Sequence, residues 1–150
     1  MTSLALKTAL IFARKSCPDL TKKIRYIIDE LDNLNINWQI DRETLDTHAL
    51  DIDSSQHDKP DFMICIGGDG SMLKMAKFVV PDDVPVIGIN RGKLGFLTDV
   101  LPDELEEQLS AVLAGDYTVE KRFLLDVVCL RSGQRHALGS ALNDVVLHPG

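Results

Sequence analysis

The sequence predicts an α/β protein in which a parallel, Rossmann-like sheet is followed by the beginning of a β-rich domain. Short apolar runs alternate with helical segments through most of the chain, and strands buried on both faces of a parallel sheet are typically apolar throughout. Beyond residue 115 the helical pattern stops, and two strand-like runs follow with a polar turn between them. We therefore place an α/β domain at residues 1–115 and the incomplete start of a β-rich C-terminal domain at residues 116–150.

The first strand and the first helix are predicted within residues 8–34. Thr8 to Phe12 is an apolar run typical of a buried strand. Ser16 can cap the following helix, and Pro18 suits its first turn. Apolar residues then recur at the spacing of one helical face, namely Leu20, Ile24, Ile27, Ile28, Leu31 and Leu34. This segment is expected to be a helix that covers the sheet.

The next segments read as an edge strand and a surface excursion. Ile36 to Ile40 alternates between apolar and polar residues, which is typical of a strand at the edge of a sheet. Residues 41–60 are polar and contain Ser, Asp and Pro at loop-forming positions, so we expect a surface excursion with room for one short helix.

A glycine-rich turn at residues 67–70 is the most informative segment of the sequence. Phe62 to Ile66 predicts a strand covered on both faces, and it ends at Gly67-Gly68-Asp69-Gly70. Glycine permits positive φ and lets a ligand approach the main chain, which leaves Asp69 as the side chain at the tip. Ser71 is expected to cap a helix whose N-terminus favours phosphate. A tight turn that needs glycine only for its geometry is the alternative, and the Gly-x-Gly-x-x-Gly and P-loop fingerprints are absent.

A further helix, strand and loop follow this turn. From the helix Met72, Leu73, Met75 and Ala76 are expected to pack inward. Val84 to Ile89 predicts another buried strand, and residues 90–99 predict a loop in which Phe96 fills the core and Arg91 makes a salt bridge or contacts phosphate. Parallel sheets bind ligands outside the carboxyl ends of their strands, so the loops at residues 13–17, 67–71 and 90–99 should gather at one edge.

The last third of the chain changes character. Leu101-Pro102 opens a helix that ends at Gly115, with Leu105, Leu109, Val112 and Leu113 on one face. Phe123 to Leu130 and Arg135 to Leu147 are strand-like runs joined by a hairpin turn. Asn143-Asp144 interrupts the second run, so the pair either marks a β-bulge or faces the hydroxyl and amide groups of a ligand. Two strands do not form a stable unit alone, and more chain is expected beyond Gly150.

The amino-acid composition argues against several classes of function. The formal charge of −7 and the scattered basic residues argue against nucleic-acid binding, and the apolar stretch at residues 8–13 is too short to span a membrane. Three widely spaced cysteines suggest neither disulfides nor zinc, and instead small core residues in a reducing cytoplasm. No metal-ligand spacing is found among the histidines, which are expected on the surface or in loops: His48, His57, His136 and His148.

Three motifs occur together in this sequence: residues 67–71 (GGDGS), residues 88–99 (GINRGKLGFLTD) and residues 141–148 (ALNDVVLH). In this order and spacing they resemble the bacterial NAD kinases, from the first strand to the last residue. The first motif is shared with diacylglycerol and sphingosine kinases and with phosphofructokinases, whereas the second and third distinguish the NAD kinases. Members of that family are longer and carry a larger β-rich C-terminal domain.

The resemblance implies that the terminal phosphoryl group of ATP is transferred, with a divalent metal such as Mg²⁺, to the 2′-hydroxyl of the adenosine ribose of NAD. The product is NADP, and inorganic polyphosphate serves some relatives as the donor. NAD and ATP are then the small-molecule partners, and the complete chain is expected to be a homo-oligomer, a dimer or tetramer.

The resemblance also implies site residues. Asp69 matches the catalytic aspartate, which accepts the proton of the hydroxyl group. Phe96 matches an aromatic residue of the adenosine pocket, while Asn143 would meet the adenine and Asp144 the ribose hydroxyls. The residues expected to bind the nucleotides are Gly67, Gly68, Asp69, Gly70, Phe96, Asn143 and Asp144.

Two other functions stay open on the sequence alone. One is a lipid or sugar kinase that shares the glycine loop. The other applies to these 150 residues by themselves, which would bind a nucleotide without turning it over because the β-rich half lacks its remaining strands.

Overall fold

The computed structural model describes residues 6–14, 18–52, 59–91, 95–98 and 100–148. The chain divides into two compact units, Met1–Tyr117 and Thr118–Gly150. In chain order the first unit contains β1 (Thr8–Ala13), α1 (Pro18–Asn33), β2 (Asn37–Ile40), α2 (Arg42–His48), β3 (Phe62–Gly67), α3 (Asp69–Val79), β4 (Val86–Asn90) and α4 (Leu105–Leu113). Short 3-10 helices at Val80–Asp82 and Pro102–Glu104 precede β4 and α4, and the second unit contains β5 (Leu125–Arg131) and β6 (Gln134–Ala141). The predicted α/β class is confirmed.

The sheet of the first unit is parallel and has the strand order β2-β1-β3-β4. The chain runs from β1 outward to β2 and then crosses to β3 on the other side of β1. The carboxyl ends of β1 and β3 therefore adjoin where the strand order reverses, and ligands of such sheets bind at this position. The predicted edge strand is confirmed, since β2 pairs only with β1 among the strands described.

The core lies between this sheet and its helices. Every residue of β3 is buried, as predicted for a strand covered on both faces, and α1 packs its apolar face on the sheet through Ile24, Ile27 and Leu31. Leu34 was expected on that face but is 51% exposed. The helix ends before it because Asn35 adopts φ 55 and the Ile36 amide bonds back to the Leu31 carbonyl at 2.9 Å, a left-handed helix end that turns Leu34 outward.

The polar surface segment after β2 contains the short helix α2, in agreement with the one short helix that the sequence analysis allowed there. Asp41 is its N-cap, because the carboxylate accepts hydrogen bonds from the backbone N–H groups of Glu43 and Thr44, each at 3.2 Å. Ala49 ends the helix in the left-handed conformation. Residues 53–58 of the excursion lie outside the described residues.

Helices α3 and α4 agree with their predicted faces in part. Met75 is buried, and Met72 and Ala76 are half-buried, but Leu73 is exposed on α3. Leu105 and Leu109 are buried on α4, whose end is followed by Gly115 with φ 93. Of the described residues, no helix combines the length and apolarity that crossing a membrane requires.

The second unit is an antiparallel hairpin. Its register runs from Leu125 opposite Ala141 to Arg131 opposite Gln134, and the turn between the strands has φ 51 at Ser132 and φ 77 at Gly133. The second strand was expected to reach Leu147 but ends at Ala141. Since β5 begins at the residue that pairs with Ala141, the segment after Ala141 has no partner strand among the described residues.

Candidate functional site

A pocket of about 360 Å³ lies at the carboxyl edge of the parallel sheet. The residues that line it come from the ends of three strands and the start of α3: Arg14, Ile66, Gly67, Gly68, Gly70, Ser71, Lys74 and Arg91. The prediction that the loops after β1, β3 and β4 gather at one edge is confirmed for the described part of each loop. Ser16, the predicted cap of α1, lies outside that part.

The glycine loop reaches the pocket through extended backbone rather than through positive φ. Gly68 has φ −114 and ψ −169 and is the N-cap of α3, so the helix begins at Asp69. The prediction that Ser71 caps this helix is wrong, because Ser71 is its third residue and donates its amide to the Gly68 carbonyl at 2.9 Å. Gly67, Gly68 and Gly70 all lack positive φ.

Of the three glycines in the loop, only Gly67 is required by a steric contact. A Cβ at Gly67 would overlap the side chain of Ser71, so β3 and the first turn of α3 are in close contact. A Cβ at Gly68 or Gly70 would meet no atom within 4 Å. The main chain at these two positions is therefore open to a ligand, as the sequence predicted, and the unpaired N–H groups of the first helical turn favour an anion there.

Asp69 is held by the loop that follows β4. One carboxylate oxygen, Oδ2, accepts the amide of Phe96 and the other, Oδ1, accepts the amide of Leu97, each at 3.0 Å. A Cβ at Gly95 would lie 2.8 Å from Asp69 Cγ, so this close approach requires glycine at position 95. The carboxylate is fixed in one orientation rather than projecting freely from the tip of the turn.

The same loop folds back on β4, which explains how it presents two amides to Asp69. The backbone N–H of Asn90 donates to the Val100 carbonyl at 2.7 Å, and the backbone N–H of Val100 donates to the Gly88 carbonyl at 3.1 Å. Asn90 Nδ2 also donates to Thr98 Oγ1 at 2.7 Å, and both of these side chains are buried. These bonds fix the segment that carries the two amides.

Contrary to the prediction for this loop, Phe96 does not fill the core. Phe96 was expected to fill the core, yet it is 85% exposed, and Leu97 is buried instead. The amides of both residues bond to the Asp69 carboxylate, and the segment that carries them is held on β4 by the hydrogen bond between Asn90 and Thr98. The Phe96 side chain is thus exposed to solvent, while its backbone amide contacts the Asp69 carboxylate.

Arg14 lines the pocket and is held there by residues at the N-terminus of α2. Its guanidinium is 2.9 and 3.1 Å from the two carboxylate oxygens of Asp41 and 3.2 Å from Glu43, and it lies 3.9 Å above the ring centroid of Phe12. The Thr44 hydroxyl donates to Asp41 and accepts the amide of Ala13 at 2.9 Å. The N-terminus of α2 therefore fixes both the end of β1 and the arginine that follows it.

Lys74 and Arg91 add positive charge to the pocket. Both are exposed, and within the described ranges neither makes an ion pair with a carboxylate. The rim salt bridge considered for Arg91 is thus not found there. A chain with a net charge of −7 concentrates three cationic side chains at this one pocket, and such a local concentration favours an anionic ligand.

His48 is buried, against the expectation of a surface or loop position. It lies in the last turn of α2, and Nδ1 is 3.1 Å from the Thr21 hydroxyl of α1. Burial lowers its pKa below the ordinary value of 6.5, while the backbone of Ala13 acts in the opposite direction. His136 and His148 are exposed as expected, and His57 lies outside the described residues.

The cysteines divide between core and surface. Cys65 is buried in β3 as predicted, and burial raises the pKa of its thiol to about 12. Cys129 is exposed on β5, so the prediction of a core residue is wrong there, and Cys17 lies outside the described residues.

Asn143 and Asp144 belong to the second unit. Both are exposed and follow the end of β6. The β-bulge considered for this pair is not there, because the irregularity of the hairpin lies between Val127 and Val128.

Comparisons with known proteins agree with the three motifs. Residues 12–117 match the family model of the ATP-NAD kinase N-terminal domain. The NAD kinase of Marinobacter nauticus is 42% identical over 145 residues, which cover 93% of this chain and 49% of the relative. The NAD kinase of Edwardsiella ictaluri is 50% identical over 118 residues, with 77% of this chain and 40% of the relative covered. The chain thus spans about half the length of these relatives, or less.

The fold is also found in a solved structure. The crystal structure of yeast NADH kinase complexed with NADH superposes with a TM-score of 0.68 over 91% of this chain and 46% of that one, at 16% identity. This likeness shows a common fold. Because the family model matches most of its length, this chain belongs to the NAD kinase family.

Proposed function

We propose that this chain forms the first part of an NAD kinase that transfers the terminal phosphoryl group of ATP to the 2′-hydroxyl of the adenosine ribose of NAD. The observation that carries the proposal is the Asp69 carboxylate, fixed by the amides of Phe96 and Leu97 beside a cationic pocket. Phosphoryl transfer needs positioning, neutralisation of charge and an acceptor for the hydroxyl proton, and this arrangement offers groups for each.

The pocket is proposed to hold the donor phosphates. The first N–H groups of α3 are unpaired within the helix and lie at Gly68 to Gly70, where the main chain is open. Arg14, Lys74 and Arg91 add charge from the surrounding elements. Donors and charges of this kind stabilise phosphate oxygens, and Arg14 is already held at the site by the N-terminus of α2.

Asp69 is proposed to accept the proton of the ribose hydroxyl. Each oxygen of its carboxylate accepts one amide N–H, and an ionised carboxylate has about four lone-pair sites in total. Acceptor capacity therefore remains for the hydroxyl group, while the two amides fix the direction of the lone pairs. General-base assistance of this type contributes about 10²- to 10⁴-fold in rate.

Further contacts to NAD are proposed for three exposed side chains. Phe96 would cover the adenosine with its exposed ring, Asn143 would bind the adenine and Asp144 the ribose hydroxyls. Exposed aromatic and amide side chains are suited to these contacts, since a base offers a flat face for stacking and polar edges for hydrogen bonds.

A divalent ion such as Mg²⁺ would be bound chiefly by phosphate oxygens of the donor. The described residues contain no group of three His, Cys, Asp or Glu side chains suited to a metal ion, and Mg²⁺ usually binds to substrate phosphates with one or two carboxylates. Its contribution would be the neutralisation of phosphate charge. We further propose that the complete protein is cytoplasmic and forms a homo-oligomer.

Asp69→Asn in the complete protein is the direct test. The side-chain amide of Asn cannot accept a proton near neutral pH. NADP formation from NAD and ATP in a coupled assay should therefore fall by about 100-fold or more. Asp103→Asn, an exposed carboxyl at the start of the 3-10 helix before α4, serves as the control and should retain activity. Diacylglycerol and fructose 6-phosphate are tested as acceptors in parallel. If Asp69→Asn stays within a few-fold of the parent rate, Asp69 is not the base.

A further inference from the structure

We propose that Lys74 is the residue that recognises the phosphate donor, by binding the terminal phosphate of its polyphosphate chain. This proposal rests on the proposed kinase function, because it assigns the pocket beside the glycine loop to the donor rather than to the dinucleotide. Lys74 lies outside the glycine motif itself, in the second turn of α3.

The helix directs the Lys74 side chain to the pocket. Side chains on a helix tilt toward its N-terminus, so residue 74 lies over the position four residues earlier, which is Gly70. That position has no side chain, and a Cβ there would meet nothing within 4 Å. The Lys74 stem can therefore run across Gly70 toward the open main chain of the glycine loop, and Lys74 does line the pocket.

The charge environment leaves the Lys74 ammonium available to an anion. Lys23 and Lys59 have carboxylate partners at 3.3 and 2.8 Å, whereas Lys74 has no ion pair among the residues that the structure describes. A cation in the N-terminal half of a helix also gains nothing from the helix dipole, unlike Lys77 in the last turn of α3. An incoming anion is therefore the partner that compensates this charge.

The distribution of charge around the pocket favours a terminal phosphate. Arg14 is already bound to Asp41 and Glu43, so the uncompensated charges come from Lys74 and Arg91. A terminal phosphate carries about −1.5 to −2 at pH 7, whereas each phosphate of a dinucleotide's pyrophosphate carries a single charge. Two unpaired cations match the terminal phosphate of a triphosphate or of inorganic polyphosphate better than they match the pyrophosphate.

The test compares three variants of the complete protein: Lys74→Ala, Lys74→Arg and Lys77→Ala. Lys74→Ala should raise the KM for ATP about tenfold, the loss expected for one charged contact at an accessible site, and leave the KM for NAD within about twofold. Lys74→Arg keeps the charge and should recover most of the affinity. Lys77→Ala removes an exposed lysine from the same helix and should change neither constant. Inorganic polyphosphate as the alternative donor shows whether both donors depend on Lys74.

A binding measurement separates this proposal from the proposed function. Calorimetric titration with inorganic tripolyphosphate requires no NAD and no turnover, and Lys74→Ala should weaken binding about tenfold while reducing its dependence on salt. If the parent protein makes no NADP but shows this Lys74 dependence, the kinase function is wrong and the Lys74 assignment stands. If Lys74→Ala changes neither tripolyphosphate binding nor the KM for ATP, or raises the KM for NAD equally, the Lys74 proposal is overturned.

Discussion

The position of the Asp69 carboxylate depends on Gly95, which follows it by 26 residues in the chain. Its two amide partners lie in the loop after β4, and the loop approaches closely enough only because position 95 is glycine. A strand, a turn and a helix around Asp69 were predictable from local sequence. The docking of a second loop was not, since nothing in a local pattern specifies a hydrogen bond between residues so far apart.

The exposure of Phe96 and the burial of Leu97 have the same origin. A glycine-punctuated loop carries no periodicity that assigns its side chains, and Phe96 was expected in the core. The loop is oriented instead by the amides bonded to Asp69 and by the buried Asn90–Thr98 pair, and these place Leu97 inward. Side-chain orientation in a loop is thus decided by polar contacts that become visible only in three dimensions.

Gly95→Ala should separate Asp69 from its loop. The added Cβ would lie 2.8 Å from Asp69 Cγ, so the loop or the Asp69 carboxylate must shift, and either shift disturbs the two hydrogen bonds from the Phe96 and Leu97 amides. We expect an activity loss of about tenfold or more and a cost of about 1–3 kcal/mol in unfolding free energy, the usual range for an over-packed site. Hydrogen exchange of the Phe96 and Leu97 amides should become faster.

Gly70→Ala is the matched control for stability. A Cβ at position 70 meets no atom within 4 Å, and alanine is favoured over glycine in a helix, so melting temperature and amide protection should be retained or improved. If Gly95→Ala melts like the parent protein and keeps the Phe96 and Leu97 amides protected, the steric account of Gly95 is wrong.

Among the secondary-structure elements, α2 is the one whose structural role was least predictable from the sequence. It has seven residues, too few for stability on its own, and its sequence RETLDTH shows no apolar face. Tertiary contacts stabilise it: Thr44 bonds to the end of β1, His48 to α1, and Asp41 to Arg14. A polar excursion was predictable, but its role in positioning an arginine at the pocket was not.

The burial of His48 makes the packing of α2 on α1 sensitive to acid. Its pKa in the folded state is lowered from 6.5, so the unfolded chain takes up the proton first and the folded state is penalised as pH falls. The stability contributed by neutral His48 is thus fully present above the unfolded pKa of about 6.5 and is lost as pH falls below it. Measuring unfolding free energy from about pH 8 to 5 tests this.

The pH effect is isolated by comparison with variants. His48→Gln should have a shallower decline in stability at acidic pH than the parent protein, since a group that takes up a proton on unfolding has been removed. His136→Gln removes an exposed histidine from the hairpin and should follow the parent curve. Parallel curves for the parent and His48→Gln between about pH 7 and 5 would contradict the assignment.

At the scale of the whole molecule, sheet topology was the most predictable feature. Apolar strands alternating with helices require a parallel sheet, and a parallel sheet brings loops together at the carboxyl ends of its strands. The pocket between Arg14, the glycine loop and Arg91 lies there. The second unit was predicted less well, because the length of β6 is set by its partner strand and not by its own apolar residues.

The hairpin leaves large apolar side chains uncovered on both strands. Leu130 is 73% exposed and Leu138 is 68% exposed, and two-stranded hairpins are marginally stable in water. The chain also spans only 49% of the Marinobacter nauticus relative. We therefore expect the first unit of the 150-residue chain to fold, with slow hydrogen exchange along β3, while amides of β5 and β6 exchange rapidly.

This difference predicts the activity of the 150 residues by themselves. Asn143 and Asp144 follow a two-stranded hairpin, which is expected to be marginally stable by itself, so NADP formation by this chain should fall below about 1% of that by a version extended to the length of its relatives. Tripolyphosphate binding, which uses only the first unit, should be similar in the two proteins and serves as the control. Comparable NADP formation by the 150-residue chain would show that the first unit and its hairpin suffice for the reaction, and that the exposed apolar side chains of β5 and β6 need no further cover.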